Sequence, residues 1–343
     1  MILTLSYSSC ADARSCLKKF HYRNILGLAL KQKGSALSIG STIHQCFDMY
    51  FNKKTQPEIL QHIHDSYKAL SAVTSNPIDQ ERMLVDKYAC LGMWVNYPFQ
   101  DMEFEEVFPE RPFTIKLDGL CGVYITGTVD GLVRRAGKWW IREVKTTSMD
   151  KRQFQSKASV SYQAAGYIYG IEKMLGLDIQ GVLYDVISKN RLRKGVNETA
   201  QGFAERIYAD YARPDKKDQY YDRYYSYRSI KEIVEYEKDM VALAKELRLR
   251  IKHNIWYRNT EACYLYNSEC PYKKICWEER PDQGLLDSLY EQGGGDVLCP
   301  KCGHDRWKTI TKHVEYRCRK CGFLKRKEPN EPPESQETTQ GAA

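Results

Sequence analysis

The sequence predicts an α/β protein, because segments with strand character and segments with helical periodicity alternate along the chain. Three segments are rich in Val, Ile, Tyr and Trp, as strands are: Gly122–Arg134, Lys138–Lys145 and Gln180–Ser188. A helical segment, Ala158–Leu175, lies between the second and third of them. The order of helix, hairpin, helix and strand is typical of a mixed sheet flanked by helices.

The elements before the strands are predicted to be helical. Ser41 is the expected N-cap of a helix whose apolar face carries Ile43 and Phe47, and residues 57–96 contain further helices. Residues 135–137 form the expected turn between the first two strands. These elements together predict a hairpin with helices on both sides of it along the chain.

Composition limits the class of protein. The chain has 343 residues, of which 42% are hydrophobic and 28% charged, the balance of a globular protein. No apolar run reaches the roughly 18 residues that a membrane-spanning helix needs. The first residues lack a basic stretch followed by an apolar core, so we expect no secretory signal and a cytoplasmic location.

The chain is predicted to have a large first domain and a small basic module. We expect the domain at residues 1–282, a linker at 283–296 containing Gly293–Gly295, the module at 297–326 and a disordered tail at 327–343. The stretch Val297–Lys327 has ten Lys or Arg against two acidic residues, so it carries +8, whereas the whole chain also carries +8. An anionic partner for the module is therefore expected.

The hairpin places two carboxylates opposite each other. If residues 136 and 137 are its midpoint, Asp130 faces Glu143, and directly opposed like charges about 5 Å apart repel each other. A divalent cation would compensate this repulsion. Lys145 lies two residues after Glu143, on the same strand face, where it could orient or deprotonate a water molecule. The alternative is an ordinary solvated face of a hairpin.

Further polar residues are placed to join this pair. His44 is expected in the first helical turn after Ser41, where the helix dipole favours the neutral ring that binds metals, with Asp48 one turn later. Gln163 and Tyr167 lie one turn apart on the helix after the hairpin. Each of these alone could equally be a surface residue or the edge of an amphipathic helix.

The combination resembles the RecB-like branch of the PD-(D/E)XK nucleases. The motifs that carry the resemblance are GSTIHQCFD, GTVDG, REVKTTS and YQAAGYIYG, in this order along residues 1 to 282. The resemblance implies a restriction-endonuclease-like core, a mixed central sheet flanked by helices. It implies that His44, Asp130, Glu143 and the carbonyl of Val144 bind Mg²⁺ or Mn²⁺. Lys145 would act in catalysis with Asp130 and Glu143, and Gln163 and Tyr167 would contact DNA.

One subgroup of this family, which includes CRISPR-associated RecB-like exonucleases and the AddB nuclease domain, holds a [4Fe–4S] cluster. The resemblance implies that its four ligands here are Cys16, Cys263, Cys270 and Cys276. Cys10 is the alternative to Cys16, and thiolates in fours also suit zinc. Four unrelated reduced cysteines are the remaining alternative. Cys46, Cys90 and Cys121 are expected in the core.

The C-terminal module has the spacing of a zinc ribbon. Its cysteines follow the pattern C-x2-C-x15-C-x2-C, which suits two knuckles around one Zn²⁺, and the residues between the pairs alternate like a hairpin. The ligands are Cys299, Cys302, Cys318 and Cys321. Its positive charge favours binding to a nucleic acid backbone, although zinc ribbons also bind proteins.

Two other basic stretches lie in the first domain. Residues 208–228 contain seven tyrosines among basic residues, which suits stacking on single-stranded bases or packing in a core. Residues 247–252 are expected to be an exposed face of a long helix that leads to Asn254.

The sequence thus predicts a metal-dependent DNA exonuclease that acts at ends or single-stranded flaps, in recombination, repair or replication. The host would be a bacterial, archaeal or virus-infected cell. A structure-specific endonuclease and a nuclease-inactive DNA-binding or recruitment subunit are the alternatives. No membrane association is expected. Since no helicase motif is present, unwinding would need a helicase or recombination partner.

Overall fold

The computed structural model describes residues 2–31, 35–72, 75–99, 104–265, 268–278, 283–292, 307–311, 315–318 and 324–326. No helix in these ranges is long and apolar enough to cross a membrane. The α-helices are α1 (Tyr7–Ser15), α2 (Leu17–Phe20), α3 (Ser35–Phe51), α4 (Gln56–Ala72), α5 (Pro77–Val95), α6 (Lys151–Ser159), α7 (Tyr162–Leu175), α8 (Ala200–Tyr211), α9 (Lys217–Tyr220), α10 (Ile230–His253), α11 (Lys273–Cys276) and α12 (Gln283–Leu289).

The strands form several sheets. They are β1 (Leu3–Leu5), β2 (Leu28–Leu30), β3 (Glu106–Phe108), β4 (Arg111–Lys116), β5 (Val123–Val129), β6 (Gly131–Arg135), β7 (Lys138–Thr147), β8 (Ile179–Ser188), β9 (Tyr221–Tyr227), β10 (Tyr264–Leu265), β11 (Ser268–Glu269), β12 (Tyr290–Gln292), β13 (Trp307–Thr311), β14 (Glu315–Cys318) and β15 (Leu324–Arg326).

The central sheet has the strand order β3-β6-β7-β8-β9. Only the pair β7–β8 is parallel, with α6 and α7 in the connection between them, and the other three pairs are antiparallel. A second sheet has the order β1-β5-β4. The expected mixed α/β architecture is confirmed. The inner strand β8, between β7 and β9, is buried along nearly its whole length, as a strand covered on both faces must be.

Helices cover the central sheet on both faces. On one face α6, α7 and α10 pack with the second sheet around Ile168, Tyr184 and Met240. On the other face α3, α4, α5 and α8 pack around Phe47 and Trp94. The residues of β7 alternate between these two cores, because Ile141 belongs to the first and Val144 to the second.

Two predicted elements are interrupted. The segment Gly122–Arg134 is two strands, since β5 pairs with β4 and β6 pairs with β7, so the chain changes sheets at Asp130. The segment Ala158–Leu175 is also divided. Ser161 caps a new helix by accepting a hydrogen bond from the backbone N–H of Ala164, so α7 begins at Tyr162.

Part of the predicted linker is structured. Gln283–Leu289 forms α12, and β12 pairs with β2 in antiparallel register. The reason is burial: Tyr290 is 4% exposed and its ring stacks on Tyr272 with centroids 5.5 Å apart. The residues from 283 to 292 therefore bind back to the N-terminal part of the chain.

The C-terminal module contains the expected hairpin. β13 and β14 are antiparallel, and β15 pairs with the other edge of β14. Cys318 is the last residue of β14. The other three predicted zinc ligands, Cys299, Cys302 and Cys321, lie outside the described residues, as do the tail and Gly293–Gly295.

Candidate active site

The β6–β7 hairpin determines the positions of the two carboxylates. Its turn uses Ala136 and Gly137, both with positive φ, at 50° and 71°, the conformation that tight hairpin turns require. Gly131 is paired with Arg142. The same register continued by one residue sets Asp130 opposite Glu143, as the sequence predicted.

Glu143 is a buried acid with one unsatisfied oxygen. The residue is 2% exposed, and Lys145 Nζ donates a hydrogen bond to its Oε1. Its Oε2 is buried and has no hydrogen-bond partner. Burial and, to a smaller extent, the charge of Asp130 raise the pKa of Glu143 to about 7 against the lowering effect of Lys145.

Asp130 is held by hydrogen bonds from two directions. The backbone N–H of Val144 donates to Oδ2 at 2.8 Å, and His44 Nδ1 lies 3.1 Å from Oδ1. Burial opposes ionisation of Asp130, but His44, the Val144 N–H and the charge of Lys145 together hold the pKa of this carboxyl below its ordinary value. Asp130 is therefore an anion at neutral pH.

His44 lies at the site, but its position within its helix differs from the predicted one. The helix α3 begins at Ser35, so Ser41 lies inside it and is not its N-cap. The dipole argument for His44 is therefore wrong, because the effect falls off within the first turn. Asp48 accepts a hydrogen bond from Asn52 Nδ2 at 3.0 Å, and it is Asp130 that pairs with the His44 ring.

Glu110 is an acid that the sequence analysis missed. It precedes β4, and its pKa is raised by burial and then by the charges of Asp48 and Asp130, while His44 lowers it. Glu110 lies in the link between β3 and β4, whose residues Phe108 and Arg111 pair with Leu132 and Val129 on either side of Asp130. No local motif marks it, because this position depends on pairing between strands that are separated along the chain.

Tyr167 and Gln163 meet on α7 as their spacing predicts. Gln163 Nε2 donates to the Tyr167 hydroxyl at 2.9 Å. Burial raises the pKa of Tyr167 well above its ordinary value, and the charge of Glu143 adds to this rise. The α7 pair therefore lies beside the carboxylates, with the phenol protonated.

The donor set suits a hard divalent cation. Two carboxylates, a histidine ring and the buried, unpaired Glu143 Oε2 match the oxygen-rich sites that Mg²⁺ and Mn²⁺ prefer. In the described part of the chain, no three His, Cys, Asp or Glu side chains already form a metal-binding group. The hydrogen bonds to Lys145 and His44 occupy carboxylate oxygens that a cation would otherwise share.

A second group of residues comes together around four cysteines. The pKa of the Cys270 thiol is raised by burial and by the charges of Cys16 and Cys263, and that of Cys276 by burial and the charge of Cys16. The Cys270 N–H also donates to the Cys263 carbonyl at 2.9 Å. The Cys16 sulfur accepts a hydrogen bond from the Asn259 N–H at 3.4 Å, and the Cys263 thiol donates to the Asn259 carbonyl at 3.8 Å. The segments that carry these cysteines are therefore adjacent, although in the described residues they form no metal-binding group.

The remaining cysteines have other surroundings. The Cys10 sulfur lies 4.0 Å from that of Met240, and burial raises its pKa to about 11. Cys46 and Cys90 are fully buried, as expected, but Cys121 is exposed, so its assignment to the core is wrong. Cys121 precedes β5 in a turn, where its side chain has no core to enter.

The tyrosine-rich stretch serves the core more than the surface. Tyr211, Tyr220 and Tyr221 are buried in the α3 side of the molecule, whereas Tyr227 is 64% exposed. The basic residues 247–252 belong to α10, which leads to Asn254 as expected, and Asn254 is its left-handed cap. The prediction that they form one exposed face is wrong, because Leu247 is fully buried and Ile251 packs against the core.

Comparison with protein families gives one match. A model of the PD-(D/E)XK nuclease superfamily matches residues 4–277, which include the hairpin, α7 and the four neighbouring cysteines. No curated protein matches the chain.

Proposed function

Because the chain belongs to the PD-(D/E)XK nuclease superfamily, we propose that it is a Mg²⁺- or Mn²⁺-dependent deoxyribonuclease that works as an exonuclease at ends or single-stranded flaps. Recombination, repair or replication is the process in which it would act. The observation that carries this proposal is the buried Glu143 beside Lys145 and the partly exposed Asp130, with Glu143 Oε2 lacking any hydrogen bond.

The residues that would hold the cation are Asp130, Glu143, His44 and the Val144 carbonyl. A bound divalent cation lowers the pKa of water and neutralises charge on a phosphoryl oxygen. Hydrogen bonds within the protein orient these ligands. The Val144 N–H and His44 fix the Asp130 carboxylate from two sides, so its orientation does not depend on the substrate.

Lys145 would act through its charge. Burial disfavours the ammonium, but the charge of Glu143 and the hydrogen bond to it raise the pKa of Lys145 above its ordinary value. A lysine that stays protonated does not deprotonate water at neutral pH. It would orient the attacking water and stabilise charge on the scissile phosphate.

Gln163 and Tyr167 would position the DNA strand. The protonated Tyr167 hydroxyl, fixed by Gln163, can donate a hydrogen bond to a phosphate oxygen next to Glu143. Neither residue carries a charge, so they would contribute orientation more than affinity.

The test uses end-labelled single- and double-stranded DNA with Mg²⁺, Mn²⁺ or EDTA. We expect metal-dependent cleavage by the wild type and its loss in Lys145→Ala. The matched control is Lys173→Ala, since Lys173 is a half-exposed lysine paired with Asp118 on the surface. Cleavage by Lys145→Ala at the wild-type rate would contradict the assignment. Cutting of closed circular DNA would indicate the endonuclease, and binding without any cutting the nuclease-inactive subunit.

We further propose that Cys16, Cys263, Cys270 and Cys276 hold a [4Fe–4S] cluster with a structural role. The contacts of both Cys16 and Cys263 with Asn259, and the effect of the Cys16 charge on the pKa of Cys270 and Cys276, support the choice of Cys16 over Cys10, which contacts Met240. Anaerobically purified wild type and Cys10→Ser should contain iron and acid-labile sulfide, and Cys16→Ser should not. Equal iron in Cys16→Ser would remove Cys16 from the ligand set.

For the C-terminal module we propose a Zn²⁺ ion on Cys299, Cys302, Cys318 and Cys321. The support is their spacing and the three antiparallel strands β13 to β15. Metal analysis of the full chain should give one zinc per protein, and Cys318→Ser should lose it. A positively charged ribbon would hold DNA near the nuclease domain, and a helicase partner would supply single strands.

A further inference from the structure

A cavity of about 250 Å³ opens beyond the carboxyl ends of β7 and β8. We propose that this cavity, called here the strand-end pocket, binds a backbone phosphate of the DNA strand next to the phosphate that is cleaved. The pocket is lined by Ser148, Asp150, Lys151, Lys189 and Arg191, among others. The inference rests on the proposed nuclease function and extends it to a second point of contact with the substrate.

Three cations converge on the strand-end pocket. They are Lys151, Lys189 and Arg191, which come from two separate segments of the chain. Two acidic residues are nearby, but both are engaged. Asp150 caps α6 by accepting a hydrogen bond from the Gln153 N–H at 2.8 Å, and Asp222 lies 3.5 Å from the Lys151 ammonium. The pocket therefore retains positive charge.

Lys189 lacks a direct partner for its ammonium. The residue is partly buried, and none of the described residues gives its ammonium a hydrogen bond or an ion pair. Its charge lowers the pKa of Asp86 on α5 without a direct contact. Its backbone is fixed, since the Lys189 N–H donates to the Thr147 carbonyl at 2.7 Å. A partly buried ammonium without a direct ion pair favours an anionic ligand.

A hydrogen bond to a backbone carbonyl orients the guanidinium of Arg191. One of its terminal nitrogens donates to the Ser148 carbonyl at 3.1 Å, which holds the guanidinium over the end of β7. In the described part of the chain its other N–H groups have no partner, so they can donate to a phosphate. A planar guanidinium with free N–H groups suits two oxygens of the same phosphate.

The position of the pocket relates it to the active site. Ligands of open α/β sheets bind beyond the carboxyl ends of parallel strands, and β7–β8 is the parallel pair of the central sheet. Lys145 and Val186 are paired, and so are Thr147 and Ser188 at the strand ends. Ser148 comes three residues after Lys145, about 10 Å along the strand. A phosphate in the pocket is thus a neighbour of the scissile phosphate.

The test combines protein variants with neutral phosphates in the DNA. Binding of labelled single-stranded oligonucleotides is measured in EDTA over a range of salt concentrations. Lys189→Gln and Arg191→Gln should each lower the salt slope by about 0.7, the value for one lost contact to a single strand. Lys68→Gln is the control, because Lys68 lines a separate cavity of about 610 Å³ between α4 and α5. Its slope should equal that of the wild type.

A methylphosphonate scan then locates the contact. One neutral linkage, placed at successive positions, should weaken wild-type binding at a position beside the cleavage point. In Lys189→Gln the same linkage should cause no further loss, since the charge pair is already broken. Additive losses of binding at every position, or equal salt slopes for Lys189→Gln and Lys68→Gln, would overturn the proposed phosphate site in the strand-end pocket. Saturation by inorganic phosphate without coupling to any backbone position would overturn it as well.

The nuclease and the pocket can fail separately. Cleavage by the wild type without coupling at any linkage would leave the nuclease standing and reject the pocket. Coupling at one linkage without any metal-dependent cleavage would support the pocket and reject the nuclease. Arg191→Gln, which changes an exposed side chain, guards against loss of folding in Lys189→Gln.

Discussion

Arg142 and Glu143 are neighbours on β7, both almost completely buried, and they face opposite sides of the sheet. Arg142 faces α3, where its Nε donates to Asp185 Oδ2 at 2.6 Å and its guanidinium lies between the rings of Phe47 and Phe51. Asp185 also accepts a hydrogen bond from Arg223 at 2.9 Å. This buried charge has a counter-ion and lies against two aromatic rings, so Arg142 has a structural role.

Glu143, on the other face, is in the opposite situation. Its neighbours are another carboxylate and one lysine, and burial raises its pKa to about 7, whereas Arg142 and Arg223 hold the pKa of Asp185 below its ordinary value. The comparison shows that burial by itself does not mark a functional acid. Arg142 also has two buried nitrogens without a hydrogen bond, and Glu143 has an ion pair with Lys145. What distinguishes Glu143 is a neighbouring like charge, that of Asp130, and a raised pKa, which a bound cation would offset.

The largest effect should follow Glu143→Gln, which removes the charge and keeps the shape. We expect single-turnover cleavage to fall by about 10³-fold, as for loss of one electrostatic group at a reacting phosphate. The thermal midpoint measured in EDTA should stay equal or rise, because a poorly compensated buried charge is removed. A lower thermal midpoint together with full cleavage activity would instead give Glu143 a structural role and no catalytic one.

Asp185→Asn tests the other face. It leaves Arg142 buried with unpaired charge, so the free energy of unfolding should fall by about 3 kcal/mol. Urea unfolding measures this loss. The control is Asp215→Asn, because Asp215 pairs with Arg213 on the surface, where an ion pair contributes about 0–1 kcal/mol. Equal losses in the two variants would mean that Asp185 is not a structural counter-ion.

The two acids should give stability profiles of opposite sign against pH. The raised pKa of Glu143 means that its stabilising contribution is complete below about pH 4.5 and is lost as pH rises through about 7. Relative to Glu143→Gln, the metal-free wild type should lose about 3 kcal/mol over this window. The lowered pKa of Asp185 predicts a contribution that is complete above its unfolded-state value and lost on acidification. Unfolding of both variants from pH 3 to 8 checks this. Parallel profiles would contradict it.

The smallest effect is expected for Phe51→Leu. The ring of Phe51 lies 4.5 Å from the Arg142 guanidinium, and such a contact contributes about 1 kcal/mol at a buried site. The same substitution in an Arg142→Met background should cost less, because no cation remains to interact with the ring. Cleavage by Phe51→Leu should be unchanged. An equal cost in both backgrounds would show that Phe51 only fills space.

The sequence predicted the parts of the site that depend on local periodicity. The turn at residues 135–137 determines the register of the hairpin, and this sets Asp130 opposite Glu143 and leaves Lys145 on the same face. The four-residue spacing of Gln163 and Tyr167 likewise predicted their contact on α7. These relations hold because strands repeat every two residues and helices every 3.6, wherever the element lies in the fold.

Three incorrect predictions concern the ends of elements. Ser41 was expected to start a helix that begins at Ser35, and the helix expected at Ala158–Leu175 is divided at Ser161. The linker was expected from residue 283, where α12 begins. Each boundary depends on what packs against it, as Tyr290 on Tyr272 illustrates, and local propensity does not contain that information.

The sequence by itself determined which acids face each other across the hairpin and which residues share a helix face. Only the tertiary structure decided that Glu143 is buried, that His44 pairs with Asp130, that Glu110 lies between strands that pair on either side of Asp130 and that Cys16 and Cys263 both contact Asn259. The physical reason is that these contacts join residues far apart along the chain. They form only when the cores on both faces of the sheet close, and packing fixes the distance between such residues.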